Sequence, residues 1–84
     1  MRRKQLLWRC RRGMKELDAL LVGYIETQTD VEFEQEYALF EAFLNSSDEQ
    51  LWRSLVLGHP HQEALFEPLI QKILSTSDNP IKKD

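Results

Sequence analysis

Few side chains in this chain have the reactivity expected of a catalytic or metal site. They are one thiol, Cys10, and two imidazoles, His59 and His61. Zinc sites need three or four such ligands at short, regular spacings, and these positions do not fit that pattern. A nucleophilic pair would need Cys10 beside a histidine and a third group orienting the base. Because Cys10 shares a helix face with Leu6 and Leu7, we expect a buried structural thiol.

A second group of functional side chains lies between residues 8 and 18. This segment reads Trp-Arg-Cys-Arg-Arg-Gly-Met-Lys-Glu-Leu-Asp and joins two segments with helical apolar spacing. A turn that only reverses the chain needs little more than the glycine. Arginine is enriched at protein interfaces, and glycine lets another backbone approach closely. We therefore predict an exposed protein-binding corner formed by Trp8, Arg11, Arg12, Gly13, Met14, Glu16 and Asp18.

Charge is distributed unevenly along the 84 residues. Seven of the eleven basic residues precede position 16, whereas residues 16–67 contain twelve acidic residues and one basic one, Arg53. This asymmetry predicts a positive pole on an acidic body, which would orient encounters with a charged partner. Nucleic-acid binding is a minority hypothesis, because the net charge is −3 and no helix-turn-helix spacing is evident. The acidic run over residues 30–41 is interpreted as a solvated helix face.

Apolar residues recur at helical spacing along most of the chain, which predicts an all-α fold. The composition, 42% apolar and 30% charged with three glycines and three prolines, is typical of a globular helical protein. We predict one domain, a small five-helix bundle over residues 1–75, followed by a flexible C-terminal tail over residues 76–84. The predicted helices cover about residues 4–12, 14–26, 31–44, 48–57 and 60–75.

Residues with known capping preferences mark several of these boundaries. Gly13 is placed to end the first helix with a positive φ. Thr29 with Glu32 predicts a capping box at the third helix, and Ser46 with Glu49 predicts another at the fourth.

The last two helices have further signals. Gly58 is expected just after the fourth helix, which should bury Trp52 together with Leu51 and Leu55. Pro60 suits the first turn of the fifth helix. Pro68 would then be interior, so we predict that this helix is kinked or restarts there.

The order of these residues resembles the SdhE family of FAD assembly factors, also called succinate dehydrogenase assembly factor 2. The family signature Arg-Gly-x-x-Glu matches residues 12–16, inside the longer run at residues 8–18. The Asp-x-x-Leu-Trp segment at 48–52 and the Gly-x-Pro break at 58–60 extend the resemblance, which covers residues 3–74. It implies the five-helix bundle that the periodicity predicts.

The resemblance also implies a function. Members of the family promote covalent attachment of FAD to a histidine of the flavoprotein subunit of succinate dehydrogenase, and in some bacteria of fumarate reductase. The assembly factor is not itself an enzyme and holds no cofactor stably, since the FAD stays on the partner. It favours a reactive conformation of the flavoprotein, with its signature turn docked near the flavin. In this chain Trp8 and Met14 would supply apolar contact.

The other corner residues receive roles by hypothesis. Arg11 and Arg12 would engage acidic or carbonyl groups of the flavoprotein, and Gly13 would permit close approach. Glu16 would contact a polar group near the flavin or hold Arg12 in place. The alternatives are an antitoxin-like protein-binding module and, less favoured, a nucleic-acid-binding domain.

Location and assembly follow from simple features. A single cysteine indicates a reducing compartment, and no apolar run is long enough to cross a bilayer. We therefore expect a monomer in the bacterial cytoplasm, without membrane insertion.

Overall fold

The structure, a computed structural model, describes residues 2–76, which form five α-helices joined by short connections. The helices are α1 (Arg2–Arg9), α2 (Lys15–Thr27), α3 (Asp30–Leu44), α4 (Asp48–Leu55) and α5 (Glu67–Thr76), with a 3₁₀ turn at Ala64–Phe66 before α5. No strand occurs within these residues. The predicted all-α five-helix fold is confirmed. The predicted tail lies outside the described residues except for Thr76, which is the last residue of α5.

Helix α2 lies at the centre of the bundle and packs against α1, α4 and α5. Leu17, Leu21 and Ile25 repeat every four residues, so they share one helix face, and all three are fully buried. Phe40 and Phe43 of α3 pack into the same core, which also contains buried side chains from each of the other helices. The core therefore lies between α2 and the helices around it.

The capping signals were correct at α3 and wrong at α4. Thr29 Oγ1 accepts a hydrogen bond from Glu32 N at 3.1 Å, and Glu32 accepts from Thr29 N at 3.0 Å. At α4 the N-cap is Ser47, whose Oγ accepts from Gln50 N at 3.1 Å. Ser46, the residue predicted for this role, instead points its hydroxyl at a buried histidine.

The first helix is shorter than predicted, because it ends at Arg9 instead of Arg12. Cys10 N still donates to Leu6 O at 3.0 Å, and the chain then leaves the helix. Gly13 has a φ of +83° and completes the reversal into α2. The side chain of Arg12, which follows the end of α1, reaches the α3–α4 connection and binds Asp48 and Leu44 there.

The fifth helix begins later than predicted. Residues 59–63 are not helical, and α5 starts at Glu67. Pro60 therefore lies outside the helix, and Pro68 occupies its first turn, where the missing N–H has no helical partner to lose. Of the two predicted alternatives, the restart of the helix near Pro68 is confirmed, and Pro68 does not have to kink α5. Gly58 has a φ of +77°, which confirms its predicted position after α4, although α4 ends at Leu55.

Ion pairs fasten α1 to α3. They are Arg2–Glu34 at 3.0 Å, Arg3–Asp30 at 3.0 Å and Arg9–Glu41 at 3.8 Å. The Arg2 guanidinium also lies 4.0 Å from the centroid of the Tyr37 ring. The predicted positive pole is therefore largely neutralised by the chain itself. The acidic face of α3 is correspondingly more than a solvated surface, since it receives the arginines of α1.

Candidate functional site

Residues 10–16, which join α1 to α2 and include the first two residues of α2, are called the Gly13 corner here. Asp18, in the first turn of α2, closes it from within: its two carboxylate oxygens accept from Arg12 N at 2.8 Å and from Gly13 N at 3.2 Å. Met14, the N-cap of α2, makes no side-chain capping bond. Asp18 therefore binds the backbone N–H groups that lead into α2 and holds the turn at the positive φ of Gly13.

Arg12 anchors the corner to the α3–α4 connection. Its guanidinium donates to Asp48 Oδ1 at 3.0 Å and to the carbonyl oxygen of Leu44. The side chain is only 18% exposed. The idea that Glu16 fixes Arg12 is wrong, because Asp48 fills that role. Glu16 is exposed and forms no ion pair within the described part of the chain.

Arg11 differs from its neighbour Arg12 in its exposure and in its contacts. It is exposed, and within residues 2–76 its guanidinium has no ion pair or hydrogen bond. The two arginines predicted to act together are therefore separated by the structure. Arg12 is committed to carboxylate and carbonyl groups of its own chain, whereas Arg11 is available to another molecule.

Gly13 lies at the surface of the corner. A Cβ built on it would meet no heavy atom within 4 Å. A substitution there would strain the backbone, because φ is positive, but would not collide with the rest of the protein. Space for close approach by a partner is thus present at the position where we predicted it.

Shallow depressions flank the corner, and two of them contain a tryptophan side chain. The α4-side groove is lined by Met14, Lys15, Glu16, Glu49 and Trp52. The α1-side groove is lined by Lys4, Leu7, Trp8 and Arg11. Together they contain four of the residues for which the sequence predicted contact, Trp8, Arg11, Met14 and Glu16, and they add side chains from α1 and α4.

Trp52 and Glu49 were missed as site residues. Trp52 was expected in the core but is only partly buried, with its ring in the α4-side groove. The sequence does contain a signal. Leu51 is fully buried, and on an α-helix the next residue is rotated by about 100°, so Trp52 must lie at the border of the buried face. Trp8 is more exposed still, at 74%.

Cys10 lies beneath the corner and is fully buried, as predicted for a structural thiol. Burial raises the pKa of its thiol from 9.0 to about 12, and the nearby Asp18 carboxylate acts in the same direction. The thiol is therefore protonated at neutral pH, whereas a nucleophilic cysteine needs its thiolate.

Ser46 and His61 form a pair that the sequence did not predict. Ser46 Oγ lies 3.0 Å from Nε2 of the buried His61, and Nδ1 accepts from Glu63 N at 2.9 Å. Because Nδ1 is an acceptor, the proton of the neutral ring resides on Nε2, which donates to the serine. An imidazole in this tautomer cannot take the serine proton, so the pair stabilises the fold and is not a nucleophile with its base.

Residues 2–76 contain no group of three or more histidine, cysteine or acidic side chains that could hold a metal ion. None of the described helices is both long and apolar enough to traverse a bilayer.

Comparison with known proteins decides the family. The Sdh5 family model, described as flavinator of succinate dehydrogenase, matches residues 4–77. The chain belongs to this family. The match spans the Gly13 corner and both grooves, so the resemblance inferred from the signature residues is confirmed.

Several relatives of this family member are named FAD assembly factor SdhE. The protein of Xylella fastidiosa strain 9a5c is 41% identical over 69 residues, which is 82% of this chain and 71% of that one. The protein of Methylococcus capsulatus is 42% identical over 64 residues, covering 75% and 77%. The protein of Photobacterium profundum is 31% identical over 81 residues, covering 95% and 91%. No solved structure matches this chain.

Proposed function

We propose that this protein binds the flavoprotein subunit of succinate dehydrogenase, or of fumarate reductase, and promotes covalent attachment of its FAD. The observation that carries the proposal is the Gly13 corner. It is fixed from inside by Asp18 and Arg12, open at Gly13, and bordered by the exposed Trp8 and the partly buried Trp52. Family membership supplies the class of partner, because the matching model and the relatives are named for flavin attachment and FAD assembly.

The chemistry takes place on the flavoprotein. Near the corner, the thiol of Cys10 is protonated and buried, so it offers no nucleophile. A protein without reacting groups at its docking surface can still accelerate a reaction if it binds the reactive conformation of its partner more tightly than the others. Binding then raises the population in which the flavin and the flavoprotein histidine are correctly placed.

The corner residues divide into two kinds in this proposal. Arg11, Gly13 and Glu16 contact the flavoprotein, with Arg11 donating to acidic or carbonyl groups and Glu16 accepting from a polar group near the flavin. Arg12 and Asp18 act chiefly by holding the turn. A turn that is already in its bound shape loses little conformational entropy on docking, which favours affinity.

Apolar contact in the complex comes from Trp8 and Met14 beside the corner. Aromatic side chains of this kind often carry a large part of the binding energy at interfaces. The buried free thiol of Cys10 is typical of a reducing compartment, which supports the bacterial cytoplasm as the place of docking.

The proposal is tested with purified components. Apo-flavoprotein subunit and FAD are incubated with and without this protein, and covalently bound flavin is followed by its fluorescence in a denaturing gel, which removes free FAD. We expect the rate of covalent attachment to rise with the concentration of added protein until the flavoprotein is saturated. Equal rates with and without the protein would contradict the proposal.

A further inference from the structure

The two grooves beside the Gly13 corner have the same construction and opposite charge. The α4-side groove has an apolar floor of Met14 and Trp52, both partly buried. Carboxylates form its rim, from Glu16 of α2 and Glu49 of α4. With Lys15 as the one cation among its lining residues, this groove is acidic.

The acidic groups of the α4-side groove are available to a partner. Glu16 is exposed and forms no ion pair within residues 2–76. Glu49 lies 3.7 Å from Arg53 Nε, in a pair whose side chains are 80% and 52% exposed. Such an exposed pair is weak, so Glu49 can exchange Arg53 for a cation of another molecule at little cost.

The α1-side groove reverses this pattern. Its floor consists of Leu7 and the highly exposed Trp8, and its rim carries Lys4 and Arg11. Within the described residues neither rim cation has an ion pair, whereas the other arginines that precede α2 each have one: Arg2, Arg3, Arg9 and Arg12. The cations that the fold leaves unpaired on α1 and its C-terminal connection are therefore those of this groove.

We infer that the flavoprotein docks across the corner in a single orientation, with a basic, apolar segment in the α4-side groove and an acidic, apolar segment in the α1-side groove. This inference rests on the proposed function and adds the chemistry of the contact. Arg11 and Met14 are three residues apart in sequence and line different grooves, so a partner that covers Gly13 reaches both.

Opposite rims select an orientation for a simple electrostatic reason. In the correct orientation each charged rim faces its complement, and the apolar floors are covered at the same time. If the partner were turned end for end, both rims would face like charges, which are strongly disfavoured at an interface. The opposite charges of the two grooves therefore set the orientation in which the flavoprotein docks at the corner.

Charge reversal in each groove tests the inference. The dissociation constant for the apo-flavoprotein subunit of bacterial succinate dehydrogenase is measured for Glu49→Lys and for Lys4→Glu. Matched controls are Glu26→Lys, on the exposed surface of α2, and Lys72→Glu, at an exposed position of α5 where the substitution also removes an ion pair with Glu36. Each groove variant should raise the dissociation constant about tenfold or more, and each control less than about twofold. Circular dichroism establishes that all four variants fold.

Cross-linking tests the charge of the contacting segments. A photoreactive p-benzoylphenylalanine replaces Trp52 in one sample and Trp8 in another, and the linked flavoprotein peptides are identified by mass spectrometry. Position 52 should link to a peptide rich in lysine or arginine, and position 8 to a different peptide rich in aspartate or glutamate. One shared peptide, or the opposite charges, would overturn the inference.

The proposed function and the inferred orientation are contradicted by different results. If the unmodified protein does not bind the apo-flavoprotein, the proposed function itself is contradicted. If it binds, and the groove variants bind as well as Glu26→Lys and Lys72→Glu do, the proposed function stands and the inferred orientation is overturned.

Discussion

The protein turns two corners on glycine, and the two are built differently. Within residues 2–76 the glycines with positive φ are Gly13, at +83°, and Gly58, at +77°. A Cβ on either would meet no heavy atom within 4 Å. Both positions therefore need a residue that tolerates a positive φ, and they differ in the contacts that hold each turn.

The Gly58 corner, residues 56–61, is held by aromatic packing. The His61 ring centroid lies 5.6 Å from that of Phe43 and 4.9 Å from that of Phe66, and Ser46 accepts from the same ring. The one polar side chain that this corner directs inward is buried and hydrogen-bonded. The Gly58 corner therefore contributes the His61 ring to the core.

The Gly13 corner is held by charges from its flanks. Asp18 binds the backbone N–H groups, and Arg12 binds Asp48 and Leu44 of the neighbouring connection. These polar contacts fix the turn, and Trp8 beside it remains outside the core. The comparison indicates that one corner serves the fold and the other is free to serve a partner.

The largest expected effect comes from the same substitution at both corners. Gly13→Arg and Gly58→Arg should each lower the free energy of unfolding by about 1–2 kcal/mol, because both force a side chain into positive φ. Only Gly13→Arg should weaken binding to the apo-flavoprotein, by about 100-fold or more, since the new side chain occupies the space for the partner's backbone. Calorimetric titration and urea denaturation measure the two quantities. Equal affinities for the two variants would remove the distinction between the corners.

The aromatic anchor of the Gly58 corner should matter for stability alone. His61→Ala should lower the free energy of unfolding by about 2–3 kcal/mol, because it leaves a cavity between two phenylalanines and an unpaired serine hydroxyl. His59 is exposed and lies two residues earlier, so His59→Ala is the matched control with little expected change. Urea denaturation compares them, and a loss of flavoprotein binding by the folded His61→Ala variant would contradict the assignment.

Substitutions of the two adjacent arginines should have different effects on stability and on docking. Arg12→Gln should lower the free energy of unfolding by about 1–2 kcal/mol, because it removes charged hydrogen bonds in a mostly buried site. Arg11→Gln should leave stability within about 0.5 kcal/mol of the original and should still weaken flavoprotein binding. Denaturation curves and binding titrations of both variants provide the check. A comparable stability loss in Arg11→Gln would show that Arg11 too is an internal anchor.

A smaller effect is expected at alkaline pH, beneath the Gly13 corner. Burial raises the pKa of Cys10 from 9.0 to about 12 in the folded protein, so stabilisation by the neutral buried thiol is complete below pH 9 and is lost as the pH rises towards 12. The free energy of unfolding should therefore fall by at most about 1.4 kcal/mol per pH unit in that range on account of this group.

The variant Cys10→Ala isolates the contribution of the Cys10 thiol to the pH dependence of the free energy of unfolding. Burial likewise raises the pKa of Tyr24, from 10.0 to about 12, so the unmodified protein has a second group acting in the same direction from pH 10 upward. Urea denaturation between pH 8 and pH 10 should give a shallower decline for Cys10→Ala than for the original chain. Identical slopes would mean that the folded thiol titrates normally.

Sequence periodicity predicted those features that depend on neighbours along the chain. The core face of α2, the capping box at Thr29 and the two positive-φ glycines all involve residues within four positions of one another or a single backbone preference. A wrong prediction arose where two neighbouring residues gave equally good signals. Ser46 and Ser47 are equally good capping residues by type, and only the packing of His61 decides between them.

The roles of the site residues were harder to predict, because they depend on distant contacts. Arg12 meets Asp48 across 36 positions, which no spacing rule connects, so Arg11 and Arg12 are indistinguishable in the sequence. The burial of His61 depends on Phe43 and Phe66 in the same way. The corner could therefore be located from its composition, whereas the division between anchoring and available side chains required the fold.

Hydroxyl-radical footprinting tests most directly which corner docks, because oxidation reports side-chain exposure with and without the partner. Trp8, Met14 and Trp52 at the Gly13 corner and its grooves are compared with the half-exposed Leu57 and with His59 at the Gly58 corner. On addition of apo-flavoprotein, oxidation of the first three should fall strongly while that of Leu57 and His59 stays unchanged. Protection confined to the Gly58 corner, or no protection at Trp8 and Met14 in a formed complex, would contradict the account.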